Sequence, residues 1–158
     1  MKKSLFVRIY NTYMRLVVQR VKKAEVKTVK DGKTVGRISK GLFVLVGVKK
    51  RDTLKDAEGL AEKLSKLRVM ADKNDKMNLS LKDVDGELLV VSQFTLYAGT
   101  SAGNRPSFID AALPEEAKLI YEYFVSKLKE KGIRVETGSF GDYMEIETLL
   151  DGPVTIIT

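Results

Sequence analysis

A chain of 158 residues, 44% apolar and 31% charged, can bury the core of one globular domain, and no apolar run approaches the ~20 residues of a membrane-crossing helix. The absence of both Cys and His excludes disulfides, thiolate nucleophiles, Ser-His-Asp chemistry and His- or Cys-ligated zinc. A formal charge of +7 suits an anionic partner such as RNA without requiring one, and any catalysis must use backbone dipoles, hydroxyls, amides, carboxylates, Lys, Arg or groups on the substrate.

Residues 1–13 carry Lys2, Lys3 and Arg8 and no acid. They lack the long apolar core and small-residue cleavage site of a secretory signal. An extra strand, a weak organellar targeting segment and a misassigned start are the open readings. The last is favoured, with the domain running over 14–158.

Strand patterns follow at 15–21 and 24–30. Asp31-Gly32 predicts a tight hairpin, since a type I′ turn needs positive φ. Val35 and Ile38 mark the return arm, 33–39. Gly41 opens an apolar run over 42–48, read as a buried strand. The basic run Lys49-Lys50-Arg51 reads first as a solvated loop and second as a phosphate contact. Asp52 or Thr53 caps a helix reaching about Val69, with Leu54, Ala57, Leu60, Ala61, Leu64 and Leu67 on its buried face. A loop at 71–77 and a short strand at 78–84 come next. Asp85-Gly86 then predicts a second hairpin, leading into 88–97.

That last stretch, LLVVSQFTLY, dominates the sequence. Leu88 to Val91 are apolar on both faces, as in a central strand. Ser92 and Gln93 interrupt the run before Phe94, Thr95, Leu96 and Tyr97 resume strand-like character. A buried hydroxyl or amide without a partner costs ~1–3 kcal/mol. The pair therefore either caps a strand end internally or faces a ligand, and the residues alone leave both open. A Gly/Ser-rich loop, 98–107, follows. Pro114 starts a second helix with Glu115 and Glu116 at its positive end, Ala117, Ile120, Tyr121, Phe124 and Leu128 buried, and Gly132 behind it. Strands at 133–137 and 144–150 flank a loop at 138–143. Gly152-Pro153 reads as a turn or, less commonly, as a cis bond. The elements together predict a single α/β (α+β-like) domain with a mixed, mostly antiparallel, barrel-like sheet and two main helices.

Familiar nucleotide motifs are missing, and Asp72, Asp75 and Asp83 lack the spacing of a calcium loop. Several motifs nonetheless coincide. They are Met14-Arg15 with Gln19-Arg20-Val21, the 41–48 strand, Ser92-Gln93-Phe94-Thr95-Leu96, Arg105-Pro106-Ser107-Phe108, Thr137-Gly138 with Phe140-Gly141, and Gly152-Pro153-Val154-Thr155. In this order and spacing, from Met14 to the C-terminus, the chain resembles the D-aminoacyl-tRNA deacylases.

The resemblance implies a cytoplasmic homodimer, without cofactor or metal, that hydrolyses the ester joining a D-amino acid to the 3′ end of tRNA. Glycine mischarged on tRNA is an implied second substrate. It places Ser92, Gln93, Phe94 and Thr95 in the catalytic strand of one subunit and a cis Gly152-Pro153 from the other subunit against it. Arg20, Arg105, Phe108, Ala112 and Met144 become substrate-side residues. Of these, Arg20 would brace the Gly-Pro, while Phe108, Ala112 and Met144 would line the pocket. Without the resemblance Arg20 reads as surface charge and those three as core. The chain departs from the family pattern at Leu150, where Asn is usual, at Asn104, where a basic residue is frequent, and at Gly141-Asp142-Tyr143-Met144.

On this reading the Phe94 N–H stabilises an oxyanion, with ribose 2′-OH assistance to water. A Thr95 nucleophile acting on other esters or amides, and a basic nucleic-acid-binding module without turnover, remain the rival readings.

Overall fold

The computed structural model describes residues 13–158. The expectations for residues 1–12 lie outside the described residues.

Strand β1 (Arg15–Thr28) is one long strand rather than the two expected. It pairs antiparallel with β3 (Gly41–Gly47) along its first half and with β2 (Thr34–Ile38) along its second. The last strand, β8 (Met144–Ile157), runs antiparallel along its other edge from Thr28 to Val17. The sheet continues in the order β2-β1-β3-β6-β7, where β6 is Glu87–Ser92 and β7 is Val135–Thr137. Both β3–β6 and β6–β7 are parallel. The result is a mixed, nearly closed, barrel-like sheet, as expected for this α/β chain.

Alternation explains why Leu42–Val46 of β3 and Leu88–Val91 of β6 are apolar throughout. Leu42, Val44, Val46, Leu88 and Val90 point to one side, into the main core with Leu64 of helix α1 (Leu54–Lys66) and Phe124 of helix α2 (Pro114–Glu130). Phe43, Leu89 and Val91 point to the other, into a smaller core with Val21, Val26 and Ile38. A strand covered on both faces has no place for polar side chains until it leaves the sheet.

Helix α1 starts at a capping box in which Thr53 and Asp56 satisfy each other's backbone N–H. It stops at Lys66, short of Val69, and Leu54 in its first turn stays exposed. In α2 the predicted face is buried, with Val125 added.

Four local expectations are corrected. Asp31-Gly32 is not a two-residue I′ turn. Only Gly32 of the pair has positive φ, and Asp31 instead accepts from the Thr28 hydroxyl and, at 3.2 Å, from Lys33 N–H. The side-chain bonds favour this wider loop. Asp85-Gly86 does not close a hairpin. Asp85 ends a 3₁₀ turn, Lys82–Val84, that follows the short strand β5 (Met77–Leu79). β5 pairs with β4 (Met70–Ala71), leaving β6 to be sandwiched between β3 and β7. Residues 94–97 form a 3₁₀ turn, not strand. Finally, Gly152-Pro153 does not end the last strand, since β8 continues past it to Ile157.

Candidate active site

The parallel ladder determines where Ser92 and Gln93 lie. Ser92 is the last residue of β6, opposite Val46, and the Gln93 N–H donates to the Val46 carbonyl at 2.7 Å. The chain then tightens into the turn Phe94–Tyr97, with Leu96 N–H donating to Gln93 O at 3.4 Å and Ala98 N–H to Thr95 O at 3.1 Å. A 3₁₀ turn leaves its first N–H groups without internal partners. Among the described residues, the N–H groups of Phe94 and Thr95 donate to no carbonyl or side chain. Both residues are exposed, at the end of the buried strand.

The Phe94 ring, 54% exposed, meets Phe108 edge-on at 5.0 Å between centroids. Phe108 is held by the preceding loop, where Gly99 and Ser107 exchange both backbone bonds at 2.7 and 2.8 Å. Ala112, further along this segment, is buried and donates its N–H to Val48 O at 3.0 Å. Arg105 is exposed and, among the described residues, makes no ion pair. Met144 lies beside Gly138. A Cβ there would come within 2.8 Å of Met144 Sδ and 3.4 Å of a Val91 methyl. Met144 packs against the smaller core that includes Val91.

On β8, the strand register skips at Arg20. Gln19 pairs with Thr155 and Val21 with Leu150, so Asp151 to Val154 bulge opposite a single β1 residue. Within this bulge Gly152-Pro153 is cis, and Gly152 has φ of +133°. The Arg20 side chain, 12% exposed, spans the base of the bulge. It donates from Nε to Asp151 O at 3.1 Å and from Nη1 to Val69 O at 2.9 Å, and its Nε lies 3.3 Å from the Asp151 carboxylate. The plain surface-charge reading of Arg20 is therefore corrected: its guanidinium is tied down at three oxygens. Leu150, in place of Asn, sits in the ladder opposite Val21.

Within one chain, no hydrogen bond or ion pair among the described residues joins the bulge to the 92–95 turn or to Arg105 and Phe108. Nor do three acidic side chains gather into a metal-holding group there.

Sequence reasoning missed what lies beneath the turn. Arg15 donates to Leu96 O at 2.8 Å, and its guanidinium carbon stands 4.7 Å over the Tyr97 ring. The Tyr97 hydroxyl donates to Tyr13 O. Close by, burial pushes the Asp52 carboxyl up to about 6, against the pull of the Lys49 N–H, which it accepts at 2.5 Å. One Asp52 oxygen is buried without a partner. A basic residue opening a buried strand was the only available signal, and alternation alone does not distinguish it from surface charge.

The class the fold defines is a mixed α/β barrel-like domain in which parallel strand β6 ends in a turn whose first two backbone N–H groups are unpaired among the described residues. The comparisons narrow the class. The family model for D-Tyr-tRNA(Tyr) deacylase matches residues 17–158, and the chain belongs to that family. The D-aminoacyl-tRNA deacylase of Thermotoga petrophila is 55% identical over 144 residues, covering 91% of this chain and 95% of that protein. Its counterpart in Clostridium perfringens is 53% identical, with the same coverage. A solved structure titled c-Myc DNA Unwinding Element Binding Protein superposes with a TM-score of 0.83 at 38% identity, covering 91% of this chain and 97% of that one. One of a probable eukaryotic D-amino acid tRNA deacylase gives 0.82 at 16% identity, a likeness of fold.

Proposed function

We infer that this chain hydrolyses the ester joining a D-amino acid to the 3′ end of tRNA, releasing the free amino acid and tRNA. Membership of the deacylase family supports the reaction. The N–H of Phe94, unpaired among the described residues, carries the mechanism, with no imidazole or thiol in the chain. An aminoacyl ester is already activated, so the protein needs chiefly to hold its carbonyl and stabilise the charge that develops on the oxygen. One donor of this kind contributes ~2.7–4 kcal/mol to lowering the barrier.

Water adds to the carbonyl with the ribose 2′-OH assisting its deprotonation. The bond from carbon to the 3′ oxygen breaks, and that oxygen leaves protonated. Phe94 N–H receives the oxyanion, while Ser92 and Gln93 shape the space around it. Phe108, Ala112 and Met144 line the pocket, and Arg105 lies at its tRNA side.

The active unit is a homodimer in which Gly152-Pro153 of one copy meets the 92–95 turn of the other. Three features support this. Within one chain no hydrogen bond or ion pair among the described residues joins bulge and turn, Arg20 ties the bulge down, and β8 exposes Ile146, Leu149 and Leu150. The Gly152 and Pro153 carbonyls would hold the substrate amino group and leave no room for an L side chain. Such a site also accepts the achiral glycyl ester. The setting is cytoplasmic, where aminoacyl-tRNA is used. Arg20 acts by keeping the bulge in shape.

Matched D- and L-tyrosyl-tRNA test the reaction directly: selective release of the D-amino acid is expected, and equal or no release would refute it. Co-expressing a Gly152→Ala chain with a Phe94→Pro chain tests the shared site. Each variant alone should be inactive, while the mixed dimer regains one intact site. Absence of rescue in a confirmed mixed dimer would place both halves in one copy. A nucleic-acid-binding role has one specific observation behind it, the 38%-identical structure titled a DNA-unwinding-element binding protein. It predicts salt-dependent binding of uncharged nucleic acid without turnover.

A further inference from the structure

The turn Phe94–Tyr97 is only four residues long, and the Leu96 N–H to Gln93 O bond that opens it is long, at 3.4 Å. A donor that must meet a developing charge has to be held to within a fraction of an ångström. Something outside the turn must therefore fix it.

From the strand before it, the Gln93 N–H to Val46 O bond fixes one end. The other end is gripped by β1. Arg15 donates to Leu96 O at 2.8 Å, a short charge-assisted bond, and lies flat enough over Tyr97 for its cation to meet the ring face at 4.7 Å. Tyr97 is buried, its hydroxyl donates to Tyr13 O, and its ring packs on Gly47, where a Cβ would come within 3.0 Å of both Leu96 and Tyr97. Arg15 pairs with that same Gly47 across the β1–β3 ladder. One guanidinium thus holds the Leu96 carbonyl and the last side chain of the turn together.

We propose that Arg15 is a positioning residue for the deacylation: by fixing Leu96 O and the Tyr97 ring, it sets the angle at which the turn presents the Phe94 N–H. Arg15 touches no substrate. Its cation also sits at the carbonyl end of the turn, where positive charge complements the aligned peptide dipoles. The inference rests on the Phe94 assignment above.

The test compares Arg15→Leu and Arg15→Lys with the parent chain on D-tyrosyl-tRNA, well below their unfolding temperatures. Arg15→Leu should lower kcat by about tenfold with KM changed by less than about twofold, because aim rather than capture is lost. Arg15→Lys keeps one donor and the charge and should recover part of kcat. Amide NMR gives a reading that does not depend on turnover: the Phe94 and Thr95 signals should shift in Arg15→Leu while those of β6 stay in place. Unchanged kcat in a folded Arg15→Leu chain, a loss confined to KM, or immobile Phe94 and Thr95 signals would each overturn the proposal. If the parent chain itself shows no D-selective hydrolysis, the functional reading fails instead, and the amide signals alone decide whether Arg15 orients the turn.

Discussion

The two halves of the proposed site are built in opposite ways. The 92–95 turn ends a strand covered on both faces, and its backbone is tied to β3 behind it and to β1 below it. The Gly152-Pro153 bulge interrupts an edge strand whose residues are mostly exposed, and one arginine secures it from beneath. A backbone donor can be held in place by the body of its own domain. The bulge stands outside that body, so its shape depends on local bonds. The first half is held by the core, and the second by one side chain.

The sharpest way to break the comparison is to remove the donor of the rigid half. Phe94→Pro deletes the N–H at the first position of the turn, where proline's fixed φ is tolerated, and Gln93 before it is already extended. A fall in kcat of about 100- to 1000-fold is expected. Phe94→Ala retains the N–H and is the control. If both variants fall equally, the ring rather than the amide is at work.

In the exposed half, Gly152→Ala should cost about 100-fold in kcat/KM on D-tyrosyl-tRNA. The residue has φ of +133°, and a Cβ would come within 2.7 Å of the Val154 backbone nitrogen, which cannot swing aside as a side chain can. Full activity in this variant would remove the bulge from the site.

A smaller effect separates stability from function beneath the rigid half. The Asp52 carboxyl, raised to about 6 by burial, carries an unfavourable charge in the fold at neutral pH. A raised acid binds its proton more readily folded than unfolded. The charge therefore destabilises the fold fully above about pH 6, and the cost is relieved as the pH falls toward the ordinary aspartate value. Asp52→Asn keeps an acceptor for Lys49 N–H and should melt about 2–4 °C higher than the parent at pH 7.5. Thermal unfolding across the range should show the gap closing by about pH 4. A gap that persists in acid would mean that the charge is not its origin.

The contrast also explains what could be read from residues alone. Buried strands announce themselves, because Leu42–Val48 and Leu88–Val91 must be apolar on both faces. The helix faces follow the same logic. Partner choice was less legible: nothing local tells β6 to run parallel between β3 and β7, and Asp85-Gly86 favours a reversal without specifying what pairs beyond it. The turn at Phe94 was missed because Phe, Thr and Tyr favour strands, and burial of Tyr97 overrode that preference. Motif order supplied the members of the proposed site. Their support did not show, because Arg15 and Arg20 differ from surface cations only through carbonyls brought to them by distant segments.

The smallest expected effect bears on whether the rigid half works through backbone or side chain. Thr95 is exposed, and among the described residues its hydroxyl makes no hydrogen bond. A hydroxyl nucleophile needs a base within hydrogen-bond reach, and the chain has no His to supply one. Thr95→Ala keeps the backbone N–H and removes only the hydroxyl, so kcat should stay within about twofold of the parent, and rapid quenching should show no acyl-enzyme burst. Loss of a true nucleophile would instead cost at least ~1000-fold. A loss of that size would make the turn a side-chain device, and the buried strand behind it would serve to hold an oxygen rather than to aim an amide.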